Sequence, residues 1–97
     1  VDAMFYLGLY YNKTEINYTE MKKYYLMAAE KGSYYALNYL GIYYQHTKKK
    51  YDKMKKYYQM AIEKGSVDAL VNIAQYYRFV ENYEEMKKLF ENKRKNL

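Results

Sequence analysis

One histidine, no cysteine and a scatter of carboxylates are the residues from which a reactive centre would have to be built in this 97-residue chain. His46 stands beside Thr47 and the run Lys48, Lys49 and Lys50, where positive neighbours oppose both its protonation and its use as a cation ligand. A metal site wants several ligands, so His46 is expected to be an ordinary loop residue. Without cysteine there is no disulfide, no thiolate nucleophile and no cysteine zinc site. The carboxylates Glu81, Glu84, Glu85 and Glu91 form no calcium-loop pattern; Glu84 and Glu91 instead precede Lys88 and Lys95 by four residues, the spacing that supports a helix. Gly8, Gly32, Gly41 and Gly65 occur singly, with no phosphate-cradling cluster. No acid, base, nucleophile or metal set assembles, and the expectation is a non-enzymatic protein with no catalytic residue, cofactor or metal.

The elements that carry these residues repeat. Tyr18 to Ser33 returns as Tyr51 to Ser66, displaced by 33 residues, and Ala3, Leu7, Gly8 and Tyr11 recur as Ala36, Leu40, Gly41 and Tyr44, then as Ala69, Ile73, Ala74 and Tyr77. Three copies, 1–33, 34–66 and 67–97, fill one domain. The first two agree at 19 of 33 positions, and the third has one residue fewer between Tyr77 and Tyr83. Within a copy, Ala36, Leu40, Gly41 and Tyr44 share one helix face, and Met54, Tyr58, Ala61 and Ile62 share another. Each copy is therefore a helix A, a polar loop and a helix B. Proline is absent, so nothing interrupts the helices. Gly32 and Gly65 close helix B as left-handed caps. Asp52 and its counterpart Thr19 are expected to cap the start of helix B, with Glu84 a poorer cap in the third copy. The small residues Gly8, Gly41 and Ala74 let neighbouring helices approach to about 8 to 10 Å. Hydrophobic residues make up 51% of the chain but include 17 tyrosines, so the core must be built largely from phenol rings. The fold class is all-α, six antiparallel helices in an A-B-A-B-A-B stack.

No apolar run reaches the roughly 18 to 20 residues that span a bilayer, and no leader precedes the first helix, so a soluble, cytoplasmic protein without membrane partner is expected. The opening pair Val1-Asp2 is the pair that opens the third copy at Val67-Asp68, and further repeats are expected upstream. At the other end Lys93, Arg94, Lys95 and Asn96 replace the Ala-Ala/Ile-Glu-Lys-Gly stretch of the earlier copies, as a capping repeat requires.

The run Ala3-Leu7-Gly8-Tyr11, repeated as Ala36-Leu40-Gly41-Tyr44, and the run Tyr24-Tyr25-Ala28-Ala29-Glu30-Gly32, repeated as Tyr57-Tyr58-Ala61-Ile62-Glu63-Gly65, resemble the Sel-one-like repeat (SLR) family of the tetratricopeptide-repeat (TPR) superfamily. The resemblance covers the whole chain. It departs from the family where Asn12 to Asn17 and Gln45 to Lys50 stand in place of a glycine-rich turn, and in a period closer to a plain tetratricopeptide repeat. The lysine, tyrosine and asparagine bias is similar to that of such repeats encoded by large DNA viruses. What the resemblance implies is a right-handed α-solenoid whose A helices line a concave face, and a scaffold or adaptor that binds protein without a small-molecule substrate.

On that face the A-helix residues outside the packing motif form three sets: Phe5, Leu9 and Asn12; Tyr35, Asn38, Ile42 and Gln45; Val71, Gln75 and Arg78. Apolar side chains mixed with amides describe a groove for a partner peptide or helix. The alternative is a basic module for RNA or another polyanion. The three copies carry 0, +5 and +1 of the net +6, and the excess is concentrated in Lys48, Lys49, Lys50, Lys53, Lys55 and Lys56, read as one patch beside Tyr51, Tyr57 and Tyr58. Paired lysines at 22–23, 55–56 and 87–88 form a ladder, one of each pair expected to be neutralised by Glu20, Asp52 or Glu84.

Overall fold

The computed structural model describes the backbone of residues 2–95 and the side chains of residues 3–91. Six helices follow one another as α1 (Asp2–Lys13), α2 (Tyr18–Glu30), α3 (Tyr34–His46), α4 (Tyr51–Glu63), α5 (Val67–Phe79) and α6 (Tyr83–Lys95), with no strand among the described residues. The all-α expectation holds, two helices to each copy. None of these helices is long and apolar enough to cross a membrane. The polar capping face expected at Lys93 to Asn96 concerns side chains outside the described residues.

Helix ends show how the sequence sets the connections. After α2 and α4 the chain turns through Gly32 and Gly65, at φ 97° and 102°, a region that L side chains enter at a cost. There the Ser33 N–H donates to Ala28 O at 3.0 Å and Gly32 N–H to Ala29 O at 3.0 Å; Ser66 and Gly65 repeat both bonds to Ala61 and Ile62. This is the Schellman closure, and it satisfies carbonyls that the helix alone leaves open. The same serines then open the next helix, Ser33 Oγ accepting from Ala36 N–H at 3.3 Å and Ser66 Oγ from Ala69 N–H at 3.0 Å. One Gly-Ser pair thus ends each B helix and starts the following A helix.

The expected caps Thr19, Asp52 and Glu84 do not cap. The B helices begin at Tyr18, Tyr51 and Tyr83, and Asn17 and Asn82 take the cap, their Oδ1 atoms accepting from Glu20 N–H at 3.2 Å and Glu85 N–H at 3.3 Å. Lys50 stands at the start of α4 and offers no side-chain acceptor. The loop sets this register, because Asn17 N–H and Lys50 N–H reach back to Tyr11 O and Tyr44 O at 2.9 and 2.8 Å and fix where the next helix starts. Asp52, in the first turn of α4, acts on the helix dipole instead. Ser66→Ala should therefore cost about 1 kcal/mol by chemical denaturation, and Asp52→Ala less than half of that. Equal losses would show that Asp52 caps after all.

Packing repeats with the same fidelity. Tyr25 and Tyr58 are 0% exposed and each lies against a glycine of the preceding helix: a β-carbon at Gly8 or Gly41 would overlap ring atoms Cδ1 and Cε1 of its tyrosine. A parallel ring pair sits beside each crossing, Tyr11 with Tyr24 and Tyr44 with Tyr57, centroids 5.8 and 5.5 Å apart. Between copies, Tyr18 meets Tyr43 at 5.0 Å and Tyr51 meets Tyr76 at 5.4 Å. The third copy has Ala74 at the glycine position, Leu89 at the Tyr57 position and Phe90 at the Tyr58 position. Ala74 is buried, and Phe90 is 45% exposed where Tyr25 and Tyr58 are fully covered. The aliphatic position of helix A shows the value of a neighbour: Leu40 and Ile73, covered by the preceding copy, are 1% and 2% exposed, whereas Leu7 of α1, with no such neighbour among the described residues, is 38% exposed.

The molecule measures 38 × 28 × 17 Å, and the thin dimension corresponds to about two helix diameters. Along the stack α3 touches both α1 and α5, whereas α2, α4 and α6 do not approach one another among the described residues. One layer is crowded and the other is spread.

Candidate partner-binding groove and its basic end

The crowded layer carries a groove of about 590 Å³ across α1, α3 and α5. Five of the ten residues expected on this face line it: Phe5, Tyr35, Asn38, Ile42 and Val71. Its walls are aromatic, since Phe5 packs between Tyr25, Tyr35 and Tyr39 with centroids 5.5 to 6.0 Å away. Its floor is polar at one point, where Asn72 Nδ2 donates to Asn38 Oδ1 at 3.0 Å and ties α5 to α3. Asn38 is buried by that pairing but keeps its own amide donors, and Asn72 keeps its acceptor oxygen. Asp68 supplies the groove's one charge among the lining residues. Tyr6, Tyr39, Asp68 and Asn72 were absent from the sequence-based set, although their repeat positions show the pattern: Tyr6, Tyr39 and Asn72 are equivalent, as are Tyr35 and Asp68.

The remaining five lie elsewhere. Gln45 and Gln75 belong to an adjoining cleft of about 460 Å³, which Asn72 also borders. Leu9 is half-buried, Arg78 is exposed, and neither lines groove or cleft. Asn12 and Gln45 hold tyrosine hydroxyls: Asn12 Nδ2 donates to Tyr25 Oη at 3.3 Å, and Tyr58 Oη donates to Gln45 Oε1 at 2.7 Å. Their equivalent in the third copy is Arg78, and the facing ring there is Phe90, which has no hydroxyl. The amide is present where there is a phenol to hold, so the pairing was available in the sequence as a coordinated change between two repeat positions.

The six lysines read as one patch divide into three pairs. Lys49 lines the cleft, its backbone left-handed at φ 54°, and Lys55 lies over Tyr76 and Tyr77 at 5.8 and 5.7 Å. Lys53 and Lys56 lie instead over Tyr44 and Tyr57, at 5.4 and 5.6 Å, on the stacked pair between α3 and α4. Lys48 and Lys50 are exposed in the connecting loop. The expected ladder neutralisation also changes. Lys23 pairs with Glu20 at 3.9 Å as expected, but Lys88 pairs with Glu85 at 3.5 Å, and Asp52 forms no ion pair with Lys56. Both pairs are exposed and contribute little to stability.

His46 is exposed at the end of α3 and borders the cleft, and no cluster of metal-ligating side chains occurs among the described residues. Burial pushes the Tyr25 hydroxyl up to about 12, against the opposing pull of its Asn12 hydrogen bond, and raises Tyr58, Tyr44 and Tyr77 in the same direction. On the surface, the Tyr10 hydroxyl is raised by its 3.0 Å hydrogen bond to Glu15. These phenols are structural and sit outside groove and cleft. The chain matches no known family, no curated protein and no solved structure.

Proposed function

We propose that the chain is a superhelical scaffold of the tetratricopeptide-repeat type, Sel-one-like in its motifs, which captures a protein segment along α1, α3 and α5. The observation that carries this reading is the unequal spacing of the two layers: in a curved stack the inner helices crowd and the outer helices spread, and here α1, α3 and α5 touch while α2, α4 and α6 do not. The groove lies on the crowded side. Tyr35 and Val71, 50% and 44% exposed, offer apolar contact area, and the Asn38–Asn72 pair offers one donor group and one acceptor to a backbone. The partner segment accordingly presents apolar side chains and a lysine or arginine to meet Asp68.

Panning random peptides against the wild-type chain tests the reading. Selected peptides should carry that pattern, shift the amide resonances of α1, α3 and α5, and bind Tyr35→Ala/Val71→Ala at least about ten-fold more weakly with unchanged helical circular dichroism. Gln45 is unsuitable for the test because it anchors Tyr58. Peptides that bind the double variant as well as wild type, or whose shifts map to α2 and α4, would remove the groove from consideration.

A further inference from the structure

The cleft at the basic end has a chemistry that capture of a protein segment does not use. Tyr51 stacks on Tyr76 with centroids 5.4 Å apart and planes 24° apart, and Phe79, from the last turn of α5, is 86% exposed on the same cleft. A ring so exposed gains nothing from folding. Three side-chain amides border the same space, and one of them, Asn72, is already tied to Asn38. Gln45 has its oxygen engaged by the Tyr58 hydroxyl, which holds the side chain in place and leaves both Nε2 hydrogens free to donate; Gln75 is exposed, with donor and acceptor both open. Among the described residues no carboxylate lines the cleft. Lys49 stands on its lining and Lys55 over Tyr76, so positive charge flanks the stacked rings, and Lys48 and Lys50 extend it along the loop.

Flat apolar rings, amide edges and flanking cations together fit one ligand chemistry, a nucleobase attached to phosphate. We propose that this cleft is a binding site for single-stranded nucleic acid, taking one unpaired base between Phe79 and the Tyr51–Tyr76 stack, with Gln45 and Gln75 on its edge. The volume of about 460 Å³ admits one nucleotide and little more. The lysines argue for a strand over a free nucleotide, because Lys48, Lys49, Lys50 and Lys55 exceed what one phosphate can pair. The site is separate from the groove proposed above: its aromatic and basic residues do not line that groove, so either can fail without the other.

The test is a fluorescence-anisotropy titration of labelled decauridylate at several salt concentrations. Wild type should bind with a log–log salt slope of about −2 to −3, as about three to four strand phosphates require. Phe79→Ala removes a ring that supports no packing, so circular dichroism should not change while affinity falls about ten-fold or more. Gln75→Ala, at another exposed position, should weaken binding less, by about three-fold to ten-fold. The pair Lys87→Ser/Lys88→Ser, which removes two charges that do not line the cleft, should change affinity less than about three-fold. Uridine monophosphate should compete only at far higher concentration. The proposal is overturned by absence of binding at low salt, by equal affinity of Phe79→Ala and wild type, by an equal loss in the Lys87/Lys88 variant, or by a mononucleotide that binds as tightly as the strand.

Discussion

Tyr58→Ala should cost about 4 kcal/mol and leave most of the chain unfolded at room temperature. The ring is 0% exposed, lies over Gly41, and ends in a hydroxyl that donates to Gln45 Oε1 at 2.7 Å. Truncation opens a cavity at the closest helix crossing of the central copy and strands the Gln45 oxygen, and backbone glycine cannot collapse into the space. The loss falls on an array with few copies to share it. In stacked repeats each copy is stabilised by its neighbours, and α3 and α4 are the only helices between the first copy and the third. Tyr58→Phe should lose only about 1 kcal/mol, because it keeps the ring and forfeits one hydrogen bond. Gly41→Ala approaches the same crossing from the other side: its methyl overlaps Tyr58, whose ring is held by Gln45 and cannot swing away, so a loss of about 2 to 3 kcal/mol is expected. Urea titration followed by far-ultraviolet circular dichroism ranks the three. Gly41→Ala equal to wild type would mean that the helices separate at little cost.

The repeat made the helices legible. A 33-residue displacement, glycines at the B-helix ends and small residues at the A-helix crossing locate six helices without any knowledge of contacts. What the pattern does not contain is the direction of each side chain relative to helices that are distant in sequence. Asn12 and Gln45 share a face with the groove residues by spacing, yet the hydroxyl of the following B helix reaches them, and they become anchors for Tyr25 and Tyr58. Asn72 repeats a tyrosine position, and its bond to Asn38 depends on two A helices coming together, which no single repeat encodes. The lysines of α4 were read along the sequence as one patch; wound on a helix, Lys53 and Lys56 cover one tyrosine pair while Lys55 covers another. The caps moved for a local reason: the loop bonds to Tyr11 and Tyr44 start α2 and α4 at a tyrosine, and cap preference alone does not encode that register.

Raising the pH above 10 should unfold the chain cooperatively, and the cause is the same pair of buried rings. The Tyr25 hydroxyl, pushed up to about 12 by burial from an ordinary value of 10.0, keeps its proton in the folded state over a range where the unfolded chain gives it up. Tyr58, raised by burial in the same direction, adds to the effect. Between the two values the folded state therefore binds more protons than the unfolded state, so the slope of unfolding free energy against pH is negative. The contribution is complete below pH 10 and is lost as pH climbs through the folded-state value. The rise from 10.0 to about 12 corresponds to roughly 2 to 3 kcal/mol for Tyr25, with a further loss from Tyr58. Losses of this size are a large fraction of a small domain's stability, so loss of helix is expected before pH 12. Tyrosinate absorbance and far-ultraviolet circular dichroism, followed together, should show a late ionisation step coincident with loss of helix. Tyr25→Phe, which removes the titrating proton and keeps the ring, should move that unfolding step to higher pH even though its stability at neutral pH is slightly lower. A single smooth ionisation with helicity intact to pH 12 would mean that water reaches both hydroxyls in the folded state.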